Sequence, residues 1–371
     1  MIVFLLVLAV VFYYVERYSL DHAFDRVSFK TELDKGLVEP GECFLWTMTI
    51  ENKKKMMVPY LRLKEQVPAG LTEPETGRLV EEQGNPRLST VLYLSGGQRV
   101  VLKRTAMLTG RGRYFVRGAS AEAGDFLGFK SVMESYPELA EVVVKPKAAP
   151  IPELSELPGG FPGEFSSRRG QFEDPVLIRG FREYTGREPF RSISWTQSAR
   201  HMRLLVKEFE QAADLSCTVL LNTECLGPER TGRESAGGPV QDGERLELCF
   251  SMVRSVCEKL EKQRIPYDFR TNGVIAGAMG NWSRVEEGLG AGHLETVLEG
   301  LGRMTYGRRE DAETFYNGEI RRLRAGRSVI LVTPELDSVT KRAVFGLEER
   351  SGRSVVVLEA GKFGQEGGVR G

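Results

Sequence analysis

The segment ERLELCFSMVRSVCEKLEKQ narrows the possible folds of this 371-residue chain more than any other. Its apolar residues Leu246, Cys249, Phe250, Val253, Val256, Cys257 and Leu260 recur at i, i+3, i+4 and i+7, which marks a helix with one buried face. Apolar runs of strand length flank it, CTVLLN before and YDFRTN after. The alternation continues with HLETVLEGLGRM and DAETFYNGEIRRLR as helices, SVILVTP as a strand, SVTKRAVFGLEER as a helix and SVVVLEA as a last strand. Strands separated by helices imply an α/β domain with a mainly parallel sheet covered on both faces. We place it over residues 204–360, with LLVKEFE as its first apolar run and RSISWTQSARHM as a short helix before it. The polar segment LGPERTGRESAGGPVQDG, 226–243, reads as an insertion at the carboxyl end of the first strand. Open α/β sheets bind ligands at that edge.

Residues 24–148 follow another pattern. VSFKTEL, CFLWTMTIEN, YLRLKEQV, STVLYLS, RVVLKRTAML and RYFVRGA are strand-length runs in partial alternation, separated by turn residues such as Glu39-Pro40-Gly41 and Gly96-Gly97. They predict an antiparallel β-sandwich of immunoglobulin-like type. AGDFLGF follows, with Asp125 as a turn residue, and EVVVKPKAAPIP is a further strand ending in prolines. Residues 149–203 form a linker and an arginine-rich signature segment. Within it GEFSSRRGQFEDPVLIRG has no helical period and is expected to be irregular. The tail 361–371 is expected to be disordered.

The chain opens with MIVFLLVLAVVFYY, an uncharged run of 14 residues. At about 1.5 Å per residue it spans about 21 Å, short of the roughly 30 Å hydrocarbon core of a bilayer. It has no basic n-region and no small-residue cleavage site, so it does not read as a cleaved signal peptide. The expectation is a membrane-anchoring helix over 1–19, extended by interfacial residues or upstream sequence, in a single-pass or truncated two-pass protein of the cell membrane. Tyr13, Tyr14, Glu16 and Arg17 mark its interfacial end.

Composition limits the function. Fifty-one basic residues balance 51 acidic ones, so no global field draws nucleic acid, and no nucleic-acid partner is expected. Five cysteines form no CxxC pair, which suits free thiols in a reducing compartment. Three scattered histidines offer no zinc spacing. GxSxG, HExxH and Walker A patterns are missing, and GVIAGAMGNW lacks the lysine of a phosphate loop and reads as a hairpin or surface loop. No acid–base pair can be nominated, and the chain reads as non-enzymatic.

The order of these parts carries a resemblance. A membrane segment, a β domain, GEFSSRRG, FREYTGREPFRSISWTQSAR, LLVKEFE and an α/β domain together resemble the domain of unknown function 58 family. Arg182, Tyr184, Arg191, Ile193, Trp195, Ala199 and Arg200 stand at places matching the family signature, and Glu188 stands where its aspartate would be. The resemblance implies a Rossmann-like C-terminal domain of von Willebrand factor A type. In many such domains the first strand ends in Asp-x-Ser-x-Ser, which holds a divalent cation through oxygen ligands. Here Asn222 replaces the aspartate, with Thr223 and Glu224 following, so a degenerate cation loop and no bound cofactor are expected.

Two roles suit the signature residues Arg182, Tyr184, Glu188, Arg191, Trp195, Arg200 and Glu208. In the structural role Trp195 and Ile193 pack in the core, while arginines pair with Glu183, Glu188, Glu208 or Glu210. In the other role the segment docks a partner carrying carboxylates or phosphates. The expected function is a membrane-anchored protein-interaction or assembly factor with cytoplasmic soluble domains. The resemblance implies a MoxR-type AAA+ ATPase as its partner. The alternative is a cell-envelope adhesion or matrix-binding module with the soluble part outside.

Overall fold

The computed structural model describes residues 2–73, 80–82, 85–125, 130–152, 172–186, 190–212, 216–225, 239–277 and 283–362. The chain divides into two compact units, Met1–Lys147 with Leu298–Met304, and Ala148–Val297 with Thr305–Gly371.

The first unit opens with helix α1 (Ile2–Asp21). It reaches two residues beyond the expected 1–19. Among the described residues no helix is long and apolar enough to cross a membrane. The β part then runs through β1 (Val27–Leu33), β2 (Leu37–Val38), β3 (Cys43–Asn52), β4 (Val58–Gln66), β5 (Val80–Glu82), β6 (Asn85–Leu94), β7 (Arg99–Met107), β8 (Gly112–Gly124) and β9 (Ser131–Val144). One sheet has the order β1-β3-β7 and the other β2-β9-β8-β4-β6-β5. The arrangement is β-rich with sandwich-like sheets. Period-two alternation in β3 buries Phe44, Trp46, Met48 and Ile50 while the residues between face outward. Phe29, Met48 and Ile50 of one sheet pack with Leu61, Leu63, Leu94 and Ala121 of the other. Burial of each large apolar side chain stabilises by about 1.5–3 kcal/mol.

Two local expectations for this unit need comment. β9 begins at Ser131, well before the expected EVVVKPK run. Its first half is mostly exposed and so lacks the alternation that would reveal it. Asp125 donates its backbone N–H to Lys130 O (3.1 Å), and its Oδ2 accepts from Lys130 N (3.2 Å); the residues between them, on which a turn there would rest, lie outside the described residues.

The second unit contains β10 (Phe172–Glu183), α2 (Trp195–His201), β11 (Leu205–Ala212), β12 (Cys217–Leu221), α3 (Pro239–Lys262), β13 (Tyr267–Thr271), β14 (Gly273–Ile275), β15 (Arg284–Gly288), the start of α4 (Ala291–Arg303, of which Leu298–Arg303 fall in the first unit), β16 (Met304–Arg308, of which Met304 falls in the first unit), α5 (Ala312–Arg322), β17 (Ser328–Thr333), α6 (Ser338–Ser351) and β18 (Val356–Glu359). Its main sheet has the order β15-β13-β12-β17-β18. β13, β12, β17 and β18 are mutually parallel, and β15 joins β13 antiparallel at the edge. Central β12 is buried at every position, as a strand covered on both faces must be. All seven apolar positions read from the α3 sequence are buried. Asp311 caps α5 and Asp337 caps α6, each accepting from a threonine N–H three residues on (3.0 and 2.7 Å). Such caps are typically worth about 1 kcal/mol each.

Several expectations are corrected here. QFEDPVLIRG is not irregular: most of it forms β10, which pairs antiparallel with β11. LLVKEFE therefore belongs to a separate two-stranded ribbon and not to the parallel sheet. The polar insertion ends sooner than expected, because α3 starts at Pro239, whose fixed φ suits a first helical turn. Part of GVIAGAMGNW is β14, paired with β16. The linker start is anchored, since Ala149 exchanges two hydrogen bonds with Ser255 Oγ (2.9 and 2.6 Å) and Lys259 Nζ donates to Pro152 O (2.8 Å). Gly361 and Lys362 continue past β18 as a helical turn, and the rest of the expected tail lies outside the described residues.

Candidate functional site

The signature residues lie on the β10–β11 ribbon, on α2 and on the segment between them. Arg182 stands on β10 opposite Val206, with its side chain exposed. Tyr184 donates its backbone N–H to Leu204 O (2.9 Å), and its ring lies 6.2 Å from that of Phe190. Arg200 is exposed in the last turn of α2. Glu208 faces Gly180 across the ribbon. Arg191 lies in the short 3-10 turn Phe190–Ser192. The side chains of Glu208 and Arg191, and all of Glu188, lie outside the described residues.

The core role assigned to Trp195 is corrected: Trp195 is 64% exposed. It is the first residue of α2, and the buried position of that short helix is Ser198. Ile193 is buried, as expected. Sequence reading passed over the residue that holds this seam. Ser198 Oγ donates to Ser194 O (2.8 Å) and accepts from Leu205 N (2.9 Å), tying α2 to β11. Arg203 pairs with Glu183, but both are more than half exposed, and such pairs contribute less than about 1 kcal/mol.

The sheet's carboxyl edge is more tightly organised. Asn222 directly follows β12 and is 2% exposed. Its Oδ1 accepts from Asn272 Nδ2 (2.9 Å) and from Glu224 N (3.1 Å), while its Nδ2 donates to Thr333 Oγ1 (3.3 Å). Asn272 Oδ1 in turn accepts from Thr223 N (2.8 Å) and Thr223 Oγ1 (3.1 Å). The ends of β12, β13 and β17 are thus joined by amide and hydroxyl groups. Glu224 is committed as well. One carboxylate oxygen accepts from Ala312 N at the start of α5 (2.7 Å), and the other pairs with Arg308. Negative charge at a helix N-terminus satisfies open N–H groups and the helix dipole. Among the described residues no group of His, Cys, Asp and Glu is placed to hold a metal ion.

A cleft of about 1300 Å³ opens beside this edge. Its lining includes Glu224, with the helix caps Asp311 and Asp337. Asp242, Glu244, Glu247 and Glu313 add four carboxylates, against the one cation Arg308 among the described lining residues. Glu247 accepts from Tyr306 Oη (2.8 Å). Cys225 also lines the cleft, but burial first, then nearby Asp242, push its thiol up to about 12. A thiol protonated at neutral pH is a poor nucleophile. The cleft therefore offers shape, apolar surface and negative charge to a ligand.

Neither a family model nor a curated protein matches the chain. Among solved structures it is similar to the CARDB domain of a Pyrococcus furiosus protein, at 14% identity over 33% of this chain and 96% of that one, with a TM-score of 0.21. A cohesin module of a Clostridium perfringens family 33 glycoside hydrolase is similar at 17% identity over 32% of this chain and 96% of that one, with a TM-score of 0.22. A non-cellulosomal cohesin from Archaeoglobus fulgidus is similar at 16% identity over 32% and 91%, again with a TM-score of 0.22.

Proposed function

We propose that this protein is a membrane-anchored, non-enzymatic interaction or assembly factor of the domain of unknown function 58 type. Its von Willebrand factor A-like α/β body binds a protein partner at the carboxyl edge of the sheet. The observation that carries this reading is the acidic cleft at that edge, bordered by a loop whose polar groups are already paired with one another. The partner contacts the cleft with basic side chains, because complementary charge steers association and suppresses wrong partners. On the family resemblance the partner is a MoxR-type AAA+ ATPase and the soluble domains are cytoplasmic. Five free cysteines support that compartment. Anchoring is assigned to α1, where Val3, Phe4, Leu6, Val7, Leu8 and Val11 are all exposed.

The test is binding of the full chain to a purified MoxR-type ATPase from the same cell, with and without Glu244→Lys and Glu313→Lys together. The expected result is saturable binding that the double variant weakens on the order of tenfold, chiefly through slower association at low salt. No binding, or equal binding by the folded variant, sinks the reading.

A further inference from the structure

The end of the β part from which α1 emerges is built as one packed surface. α1 finishes in a buried Leu20, and Ala23 just beyond it enters the core of the first unit. Lys54 reaches back from the β3–β4 loop and donates Nζ to the carbonyls of His22 (2.7 Å) and Ala23. A cation there satisfies open carbonyls at a helix C-terminus, and burial lowers the Lys54 pKa. Lys53 N donates to Arg26 O (3.0 Å), so the loop and the chain leaving α1 are bonded at two places.

A second turn supports the loop from behind. Gly97 N donates to Lys54 O (2.9 Å), and Asn52 Nδ2 donates to Met56 O (2.9 Å) and Ser95 O (3.0 Å). A Cβ on Gly96 would lie 2.0 Å from Lys55 O, so only glycine lets the two turns approach this closely. With Lys54 held inward, Lys53, Lys55 and Arg26 are exposed beside Met57, which is 40% exposed. Acids also lie nearby. Glu51 lies against Lys53 (3.6 Å) and Asp21 against Arg17 (3.8 Å), and Asp25 acts on Lys54.

We propose that this surface, the β3–β4 loop with the end of α1, binds the headgroups of an anionic phospholipid bilayer, an inference that rests on the membrane-anchored reading above. The uncharged run of α1 ends before Glu16, and the β3–β4 loop is bonded to the chain just beyond the end of that helix. Basic side chains held beside a membrane-bound helix add electrostatic attraction to anionic headgroups. Lys53 and Lys55 meet lipid phosphates, and Met57 enters the boundary between headgroups and acyl chains. Tyr13, Tyr14 and Tyr18 on the final turns of α1 are exposed and occupy the depth that amphipathic rings prefer. Because Lys54 and Gly96 fix the loop on the helix end, both contacts are made by one rigid body.

Flotation of the full chain with vesicles tests this. Phosphatidylcholine vesicles are compared with vesicles that also contain phosphatidylglycerol, for the natural chain and for Lys53→Gln with Lys55→Gln. Each lysine near an anionic surface is worth about 1 kcal/mol, so the double variant should partition roughly thirtyfold less onto the anionic vesicles. On phosphatidylcholine alone the two proteins should float equally. For the natural chain the anionic preference should collapse at high salt, where the Debye length falls to about 3 Å. Equal partitioning of both proteins onto anionic vesicles, or an anionic preference that survives high salt, overturns the headgroup contact and leaves the anchor standing. Failure of the natural chain to float with either vesicle overturns the anchor itself, and the inference with it.

Discussion

Asn222 Oδ1 accepts a hydrogen bond from Asn272 Nδ2 at 2.9 Å, and this bond makes the carboxyl edge of the sheet an internal lattice. An amide can occupy the position because it accepts and donates at once. Aspartate there would accept from Asn272 and Glu224 N, but it could not donate to Thr333.

Removing the central amide should be costly. Asn272→Ala leaves Thr223 N, Thr223 Oγ1 and the Asn222 amide short of buried partners. An orphaned buried polar group costs about 1–3 kcal/mol, so a loss of about 3 kcal/mol in urea unfolding is expected. A loss under about 0.5 kcal/mol, the level of an indifferent surface change, would show that the lattice does not hold the edge.

The same lattice predicts indifference to cations. Adding magnesium should leave the melting temperature of the natural chain unchanged, because ligand linkage needs a site present in the native state. Asn222→Asp should lower stability without creating magnesium dependence, since Glu224 remains bound to Ala312 N and Arg308. A magnesium-dependent rise in the natural chain that disappears in Asn222→Ala would mean that a cation does bind there.

How far the sequence revealed this architecture depended on periodicity. α3 was legible because seven apolar residues follow a helical period, and β12 because an unbroken apolar run fits a doubly covered strand. β10 was not, because its register with β11 shifts twice and its segment shows no clean alternation. Trp195 misled because residue type suggests burial, whereas its place at the start of a seven-residue helix leaves it in solvent. The amides of Asn222 and Asn272 come together only when β12 and β13 pair, and no local pattern announces that. One signal was present and went unused: YDFRT places Asp268 and Arg270 within an otherwise apolar strand, and buried charges require partners.

Those partners lead to a further stability prediction. Asp268 is buried, accepts from Arg270 Nε (2.6 Å), Arg327 Nη2 (2.5 Å) and Thr218 Oγ1 (2.8 Å), and thereby ties β13 to β12 and to the residue just ahead of β17. Asp268→Ala would leave Arg270 with Glu319 and Arg327 with Glu287, each having lost its inner anion. Breaking a buried pair costs about 3–5 kcal/mol, which urea or thermal unfolding would register. A change below 1 kcal/mol would mean that water replaces the carboxylate without penalty.

Thiol accessibility separates the cytoplasmic reading from its cell-envelope alternative. Cys43 is exposed, Cys217, Cys249 and Cys257 are buried, and the Cys225 thiol is pushed up to about 12. In the native chain at neutral pH a maleimide should therefore react with Cys43 alone, and Cys43→Ser should be nearly inert. Labelling of Cys43 by an impermeant reagent on intact cells would place the soluble domains outside and end the cytoplasmic reading.

Glu65 gives the β part a pH dependence of definite sign. Its side chain is 1% exposed, paired with Arg104 and close to Glu73 across Arg104, and Arg104 also reaches Thr90 and lies over the Trp46 ring. Burial is the largest influence and raises its pKa above the ordinary carboxylate range, with the Arg104 cation opposing and Glu73 assisting. In the folded chain Glu65 therefore binds its proton more readily than in the unfolded chain. Stability falls as pH rises from about 4.5, the unfolded value, through the folded pKa, and Glu65 contributes a cost above that window. Glu65→Gln removes the titration and keeps an acceptor for Arg104. The stability of the natural chain relative to this variant should thus decrease from acid to neutral pH, measured by urea unfolding across the range. A constant difference, or one that grows with pH, would show that Arg104 outweighs burial and holds Glu65 ionised.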